Sequence, residues 1–355
     1  MTDRLVIHIG DIKTGSTSIQ NALRLQEARV PETLFFGVPA NHNLLASCLT
    51  DPLQMEQADE IYALLGRTLS TMTAQTGVIS AEMLEFVDPT VFRAMLTKHF
   101  AGLASRLSII AYVRPHGERV LSGFTEETKK GDFTGSLDAY CAKQLAKGTL
   151  LYKKRFDAWR ATFHDKLQIR AFVPSALVHN DVVSDFFANA LNLNVPANAP
   201  PEHANTRLSV ENLSLLRHLH ITWRNWSETP AVPGADAFGW HVAPLLGRDI
   251  SFGNTPVAVH ADLAEQITQT CREDAIAMDD AYFRHAPMTE ALNQFRQDAI
   301  DRPQSFDVET YFNREQIAML DFLAKPLFAA MKHDPAVFLK AMVTLTSEHN
   351  RPSET

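Results

Sequence analysis

"HIGDIKTGSTSIQ" occupies residues 8–20. It grows out of "RLVIHIG" (4–10), a short run rich in β-branched residues that ends in glycine, the pattern of a buried strand. From Ser16 the period changes, and Ile19, Ala22 and Leu23 fall on one face of a helix. The opening therefore reads as strand, glycine-containing turn, helix. Gly10 and Gly15 stand at the interval of the two glycines in the phosphate loop G-x-x-x-x-G-K-[ST]. The residue after Gly15 is Ser16 rather than lysine. The lysine is Lys13, two positions ahead of the second glycine, and Thr17 follows Ser16.

The physics of such a loop survives the displacement. Backbone N–H groups from Thr14 to Ser18 point at an anion at the start of a helix, and the helix dipole adds to the attraction. Ser16 and Thr17 offer hydroxyl donors. Lys13 enters from the other side of the turn and meets a different oxygen of the bound group. The later strands carry no terminal aspartate to hold Mg²⁺.

Working outward, short strands are predicted at 34–38, 77–84, 106–114 and 167–173, with helical patterns such as "YKKRFDAWRATF" (152–163) between most of them. This alternation predicts an α/β domain with a mainly parallel sheet. Beyond about residue 180 the strands stop. Helices are predicted at 209–226, 261–283 and 314–332, with Pro326 kinking or ending the last. The Pro- and Gly-rich stretch 227–256 reads as a long irregular loop carrying Trp240 and His241, beside Trp226, and is a candidate lid. The expected organisation is an α/β core over 1–205, a helical part over 206–345 and a frayed tail over 346–355.

A second motif lies at "YVRPHGERVLSGFTEETKKG" (112–131). Arg114 leaves the carboxyl end of a strand, where ligands bind in open α/β sheets. Ser122 follows eight residues later, about two turns along the next helix. A guanidinium and a hydroxyl so placed can clasp one phosphate.

Together the two motifs resemble those of the PAPS-dependent sulfotransferases, enzymes that use 3′-phosphoadenosine 5′-phosphosulfate. Bacterial members carry H-I-G-x-P-K-T-G-T-T-S-x-Q in the loop. The match covers His8, Gly10, Lys13, Thr14, Gly15, Thr17, Ser18 and Gln20. Ile12 stands where the family has proline, which is expected to loosen the turn, and Ser16 replaces a threonine. Fainter likeness extends over "VISAEML", where Ala81 replaces a serine, over "LYKKRFDAWRATF", and over "HANTRLSVENLSLLR", in all roughly residues 4–225. The tryptophan that cytosolic members place after the loop is absent, with Ser18-Ile19 in its place, and their C-terminal Arg-Lys-Gly motif is missing.

The resemblance implies a P-loop NTPase-like three-layer α/β fold with added C-terminal helices. It also implies PAPS as co-substrate, PAP as product and no metal. Gly10, Lys13, Thr14, Gly15, Ser16, Thr17 and Ser18 would hold the 5′-phosphosulfate, and Arg114 and Ser122 the 3′-phosphate, with Arg207 as a second cation. Lys13 would stabilise the bridging oxygen as the S–O bond breaks. The base that takes the acceptor's proton is either His42 or Glu82, and His8 is expected to be structural. The acceptor is a hydroxyl of a glycan, a lipid-linked sugar or a small metabolite. Two other readings stand beside this one: an ATP- or GTP-dependent kinase, opposed by the missing Gly-Lys-Ser/Thr, and a non-catalytic nucleotide-binding protein.

Composition agrees with an ordinary soluble protein. The 355 residues are 45% apolar and 21% charged, with a net charge of −8, which argues against general nucleic-acid binding. Cys48, Cys141 and Cys271 lie far apart, and the 14 histidines show no metal-ligand spacing. The first apolar run is too brief for a signal peptide and no stretch approaches 18 apolar residues, so a cytoplasmic location is expected.

Overall fold

The computed structural model of the chain describes residues 2–38, 40–103, 106–193, 208–227, 232, 234–248 and 252–349. In chain order its elements are β1 (Arg4–His8), α1 (Ser16–Arg29), β2 (Leu34–Phe35), α2 (Asn43–Thr50), α3 (Ala58–Thr71), β3 (Thr76–Ser80), α4 (Pro89–His99), β4 (Leu107–Val113), α5 (His116–Lys130), α6 (Leu137–Ala146), α7 (Lys153–Phe163), β5 (Leu167–Ala171) and α8 (Val182–Phe186). They continue with α9 (Val210–Trp226), α10 (Ala235–Arg248), α11 (Ala261–Tyr282), α12 (Pro287–Gln297), α13 (Arg314–His333) and α14 (Pro335–His349). The strands are shorter than their apolar runs suggest. The run at 77–84 leaves the sheet at Ser80, and Glu82–Phe86 coils into a 3₁₀ turn.

Contacts group the chain into two compact units. The first comprises Met1–His116, Thr149–Glu202 and Thr270–Gln294. It holds a five-stranded, wholly parallel sheet in the order β2-β3-β1-β4-β5. The chain fills one side of β1 with β2 and β3, then crosses to the other with β4 and β5. In such a sheet the crevice opens at the carboxyl end of the strand where the direction of winding reverses, here β1. One face of the sheet contributes Val6, Val78, Ile110 and Tyr112 to a core with Ile19 and Leu23 of α1 and Phe186 of α8. On the other face Leu69 of α3 lies over Gly77 and Leu5; a Cβ at Gly77 would come within 2.7 Å of its Cδ2. Helices thus cover both faces, and the α/β class expected from the order of elements, with the three-layer arrangement implied by the resemblance, is the one observed.

The second unit comprises Gly117–Gly148, His203–Gln269 and Phe295–Thr355. Its described residues form helices and one isolated bridge, His260 to Ile300. Trp223 of this unit is fully buried, edge-on to Phe238 with ring centroids 4.9 Å apart, and its indole N–H donates to the Ala324 carbonyl at 3.1 Å.

Three expectations are corrected here. The stretch 227–256 is not an irregular loop: α10 occupies Ala235–Arg248 and buries Phe238, Ala243 and Leu246 on one side. Its Gly239 is a packing requirement rather than a loop signal, since a Cβ there would sit 1.9 Å from the Lys129 carbonyl oxygen. Residues 228–231, 233 and 249–251 of that stretch lie outside the described residues. Of the two outcomes expected at Pro326, a kink or an end, the end does not occur; α13 continues to His333, with the proline on the exposed side, where the carbonyl it frees can be hydrated. Helix α14 also carries the fold to His349, past the expected start of the tail.

β4 is anchored just before the residues that matter for the site. The Tyr112 hydroxyl donates to Asp185 Oδ2 at 2.8 Å, and the Val178 N–H donates to Oδ1 at 3.0 Å. The Arg170 guanidinium grips both carboxylate oxygens of this fully buried aspartate. Removing one partner of a buried ion pair leaves the other charge uncompensated, at a cost of about 3–5 kcal/mol. Asp185→Ala is therefore expected to destabilise the protein by about that amount, read from the midpoint of a urea titration. A loss under about 1 kcal/mol would contradict this role.

Candidate functional site

The carboxyl ends of β1, β3 and β4 lie side by side, because β1 pairs His8 with Ser80 on one flank and with Ile110 on the other. Pairing with β4 continues beyond β1. Ile9 N–H donates to Ile110 O at 3.0 Å, Tyr112 N–H to Gly10 O at 2.9 Å, and Asp11 N–H to Tyr112 O at 2.7 Å. The chain then turns sharply. Lys13 has φ 65° and Gly15 φ 77°. A non-glycine residue in this left-handed region costs roughly 1–2 kcal/mol, and such conformations persist only where neighbours fix them. One fixing contact is Arg114, whose Nε–H donates to the Lys13 carbonyl at 2.6 Å while its guanidinium lies 4.7 Å from the Phe172 ring. The two motifs singled out in the sequence thus meet. Both loop glycines are required. A Cβ at Gly10 would fall 2.7 Å from the Glu82 carbonyl oxygen, and one at Gly15 2.7 Å from Val182 Cγ1.

Helix α1 begins with Gly15 at its N-cap. Gly15 has no side chain to cap it with, and no acidic residue stands in its first turn. The first N–H groups of an α-helix have no intrahelical acceptor, so this end is open to an anion. Ser16 strengthens the point: its hydroxyl is buried and has no hydrogen-bond partner. Thr17 is exposed and Ser18 half-buried on the same turn. The Thr14 hydroxyl, by contrast, closes the turn itself, donating to Asp11 O at 2.6 Å, which leaves its backbone N–H as its contribution.

Ile12 stands where the resemblance expects proline, and the difference has a visible consequence in the backbone. Ile12 has an N–H that proline lacks, and it donates to Glu85 Oε2 at 2.9 Å. Glu85 Oε1 lies 3.7 Å from Arg155 Nη1, and Nη2 of the same guanidinium donates to the buried carboxylate of Asp11. Asp11, Glu85 and Arg155 were missed in the sequence. An acid inside an anion-binding loop is the only hint, and it does not say which distant cation answers it.

Glu82 lies at the same edge, two residues past β3. Gln20 Nε2 donates to its Oε2 at 3.0 Å and Asn43 Nδ2 to its Oε1 at 3.0 Å, so the carboxylate is oriented from both sides. Gln20 also donates to Ser80 Oγ at 3.1 Å, and Ser80 Oγ lies 2.9 Å from His8 Nδ1. His42 sits beside them, held by its N–H to Ser80 O at 2.8 Å. Its ring is buried against Phe36, and Nδ1 accepts from the Ser80 N–H at 3.2 Å. Burial pushes its pKa down to about 4, against the backbone hydrogen bonds at Ser80 and Phe36. A neutral imidazole with one lone pair already engaged is poorly placed to take a proton. Ser122 lies on α5 in the second unit, and Arg207 lies outside the described residues.

No protein-family model matches the chain, and no curated protein matches it. Among solved structures it is similar to a sulfotransferase from Alicyclobacillus acidocaldarius, with 12% identity, 79% of this chain and 96% of that chain covered, and a TM-score of 0.42. A likeness of that degree says nothing about which residues act or on what. Among the described residues no group of three His, Cys, Asp or Glu is placed to hold a metal ion, and no helix is long and apolar enough to cross a membrane.

His8, His42 and His220 each have a pKa lowered by burial to about 4, below the ordinary 6.5. The unfolded chain therefore binds more protons than the folded one between those values. The stability these neutral imidazoles contribute is complete above about pH 6.5 and is lost as pH falls, by about 1 kcal/mol per pH unit for each. Denaturant midpoints are expected to drop steeply from pH 7 to pH 5. A flat profile over that window would show that these imidazoles are not buried in the neutral form.

Proposed function

We propose that the chain is a sulfotransferase that moves a sulfuryl group from PAPS to a hydroxyl acceptor and releases PAP. The observation that carries this reading is the N-terminus of α1, which starts from a glycine N-cap with no acidic residue in its first turn and is backed by the unpartnered, buried Ser16 hydroxyl. Such a site takes the 5′-phosphosulfate through the N–H groups of Thr14 to Ser18 and the hydroxyls of Ser16 and Thr17. By the resemblance, the 3′-phosphate falls to Arg114 and Ser122, with Arg207 as a further candidate cation in place of the missing Arg-Lys-Gly motif.

In the transfer, the acceptor oxygen forms a bond to sulfur as the bond from sulfur to the bridging oxygen breaks. The bonding pair leaves on the 5′-phosphate of PAP, and the acceptor's proton must go to a base. Negative charge grows on the bridging oxygen, so a cation there stabilises the transition state more than the ground state. Lys13 is assigned that role, which gives its displacement along the loop a purpose. Of the two candidate bases Glu82 is preferred, since its carboxylate is oriented by Gln20 and Asn43 while His42 is buried, neutral and already accepting a hydrogen bond. A sulfuryl group carries less charge than a phosphoryl group, and the mechanism calls for no metal. The acceptor is a glycan, a lipid-linked sugar or a small hydroxylated metabolite.

Calorimetric titration separates this from the kinase reading: PAP is expected to bind at least tenfold more tightly than ADP, and the reverse order would favour a kinase. With labelled PAPS and a panel of hydroxyl acceptors, Lys13→Ala is expected to lower turnover by about 10²–10³-fold. Glu82→Gln should lower it comparably while leaving PAP affinity within about threefold. Turnover at the wild-type rate in Lys13→Ala would remove the assignment of Lys13.

A further inference from the structure

The loop that offers N–H groups to a multiply charged anion has two acidic residues built against it. Asp11 is part of the loop and fully buried; Glu85 is 5% exposed and accepts from the N–H of Ile12, the next residue along. Left alone, such carboxylates oppose the binding of any anion at the same turn. The guanidinium of Arg155 contacts both, donating to Asp11 and lying 3.7 Å from Glu85. It reaches them from the first turn of α7, where it is firmly placed. Its guanidinium carbon stands 4.8 Å from the Phe156 ring and 5.5 Å from the Tyr152 ring. Tyr152 in turn stacks on His116 at 4.5 Å. The Asp274 carboxylate accepts from Tyr152 N–H, Lys153 N–H and His116 Nε2, each at 2.9 Å. Against the effect of burial, those hydrogen bonds hold the Asp274 carboxyl below the usual carboxylate range, so the start of α7 is anchored by a charged group.

We propose that Arg155, Glu85 and Asp11 form an internal latch that sets both the shape and the charge of the anion loop. Glu85 substitutes for the rigidity of the proline that residue 12 lacks, by fixing the Ile12 N–H. Arg155 keeps the two carboxylates from repelling the ligand and joins the loop to α7. These three are positioning residues; none is assigned contact with the reacting atoms. The latch itself is a property of the unliganded loop, while its effect on PAP rests on the function proposed above.

Two measurements keep those apart. The first uses no ligand: amide hydrogen exchange of peptides spanning residues 8–20. Arg155→Met is expected to speed exchange there at least tenfold relative to wild type, with the midpoint of global unfolding recorded alongside. Exchange unchanged from wild type would overturn the latch whatever the ligand is. The second is titration with PAP. Arg155→Met should weaken binding at least tenfold, Arg155→Lys less, and the charge-compensated pair Arg155→Met with Glu85→Gln should return to within about threefold of wild type. The amide oxygen of glutamine still accepts from Ile12, so shape is kept while one negative charge is removed. A double variant no better than Arg155→Met would overturn the charge role. Should Arg155→Met fail to fold, Glu85→Ala and Ile12→Pro provide the same test. Glu85→Ala should weaken PAP binding in the parent, but by less than twofold once residue 12 has no N–H to fix; equal losses in both backgrounds would overturn the shape role. If wild type itself does not bind PAP while the exchange result holds, the proposed function fails and the latch stands.

Discussion

An anion site made of backbone N–H groups exists only while the turn that presents them keeps its shape. In the site proposed for this chain that constraint falls on seven residues, Gly10 to Ser16, and several contacts of the first unit bear on it. β1 does not release the chain at the end of its strand but carries the pairing with β4 as far as Asp11. Arg114 then holds the carbonyl of Lys13, whose left-handed backbone would otherwise relax. The core behind the loop, from Ile19 and Leu23 of α1 to Phe186 of α8, fixes the direction in which α1 leaves. Val182, packed on Gly15, closes the last gap.

This arrangement also explains why the sheet order matters to chemistry. With β1 in the middle, its two neighbours deliver different groups to one edge. β3 brings Ser80 and then Glu82, oriented by Gln20 and Asn43; β4 brings Arg114. Under the proposed function, the cation would face the anionic donor and the carboxylate the neutral hydroxyl. His42 shares the edge, where burial against Phe36 keeps its ring neutral and engaged.

Much of this was legible in the sequence because it is local. The strand–turn–helix at residues 4–29 shows in the change of period, and Gly10 and Gly15 show in their spacing. The α/β class follows from alternation alone. What was not legible depends on contacts between residues far apart. Arg155 lies 144 positions from Asp11, and its pairing cannot be read from "YKKRFDAW". What Ile12 contributes is hidden for the same reason: its own N–H is visible in the sequence, its acceptor on Glu85 is not. Helix α10 was hidden by Gly239 and Pro244, which signal a loop locally but are outweighed by Phe238 and Leu246 packing inward. His42 and Glu82 read alike as candidate bases in the sequence, because the burial of the one and the hydrogen bonds that orient the other come only with the folded chain.

The central claim is that the turn at Thr14 to Ser18 receives the phosphate of a sulfuryl carrier. A crystal structure of the protein with PAP tests it most directly. The account predicts the 5′-phosphate at the start of α1, within hydrogen-bond distance of the Ser16 hydroxyl and the first-turn N–H groups, with Arg114 still on the Lys13 carbonyl. PAP bound elsewhere with that turn empty, or no PAP bound at saturating concentration, would contradict it.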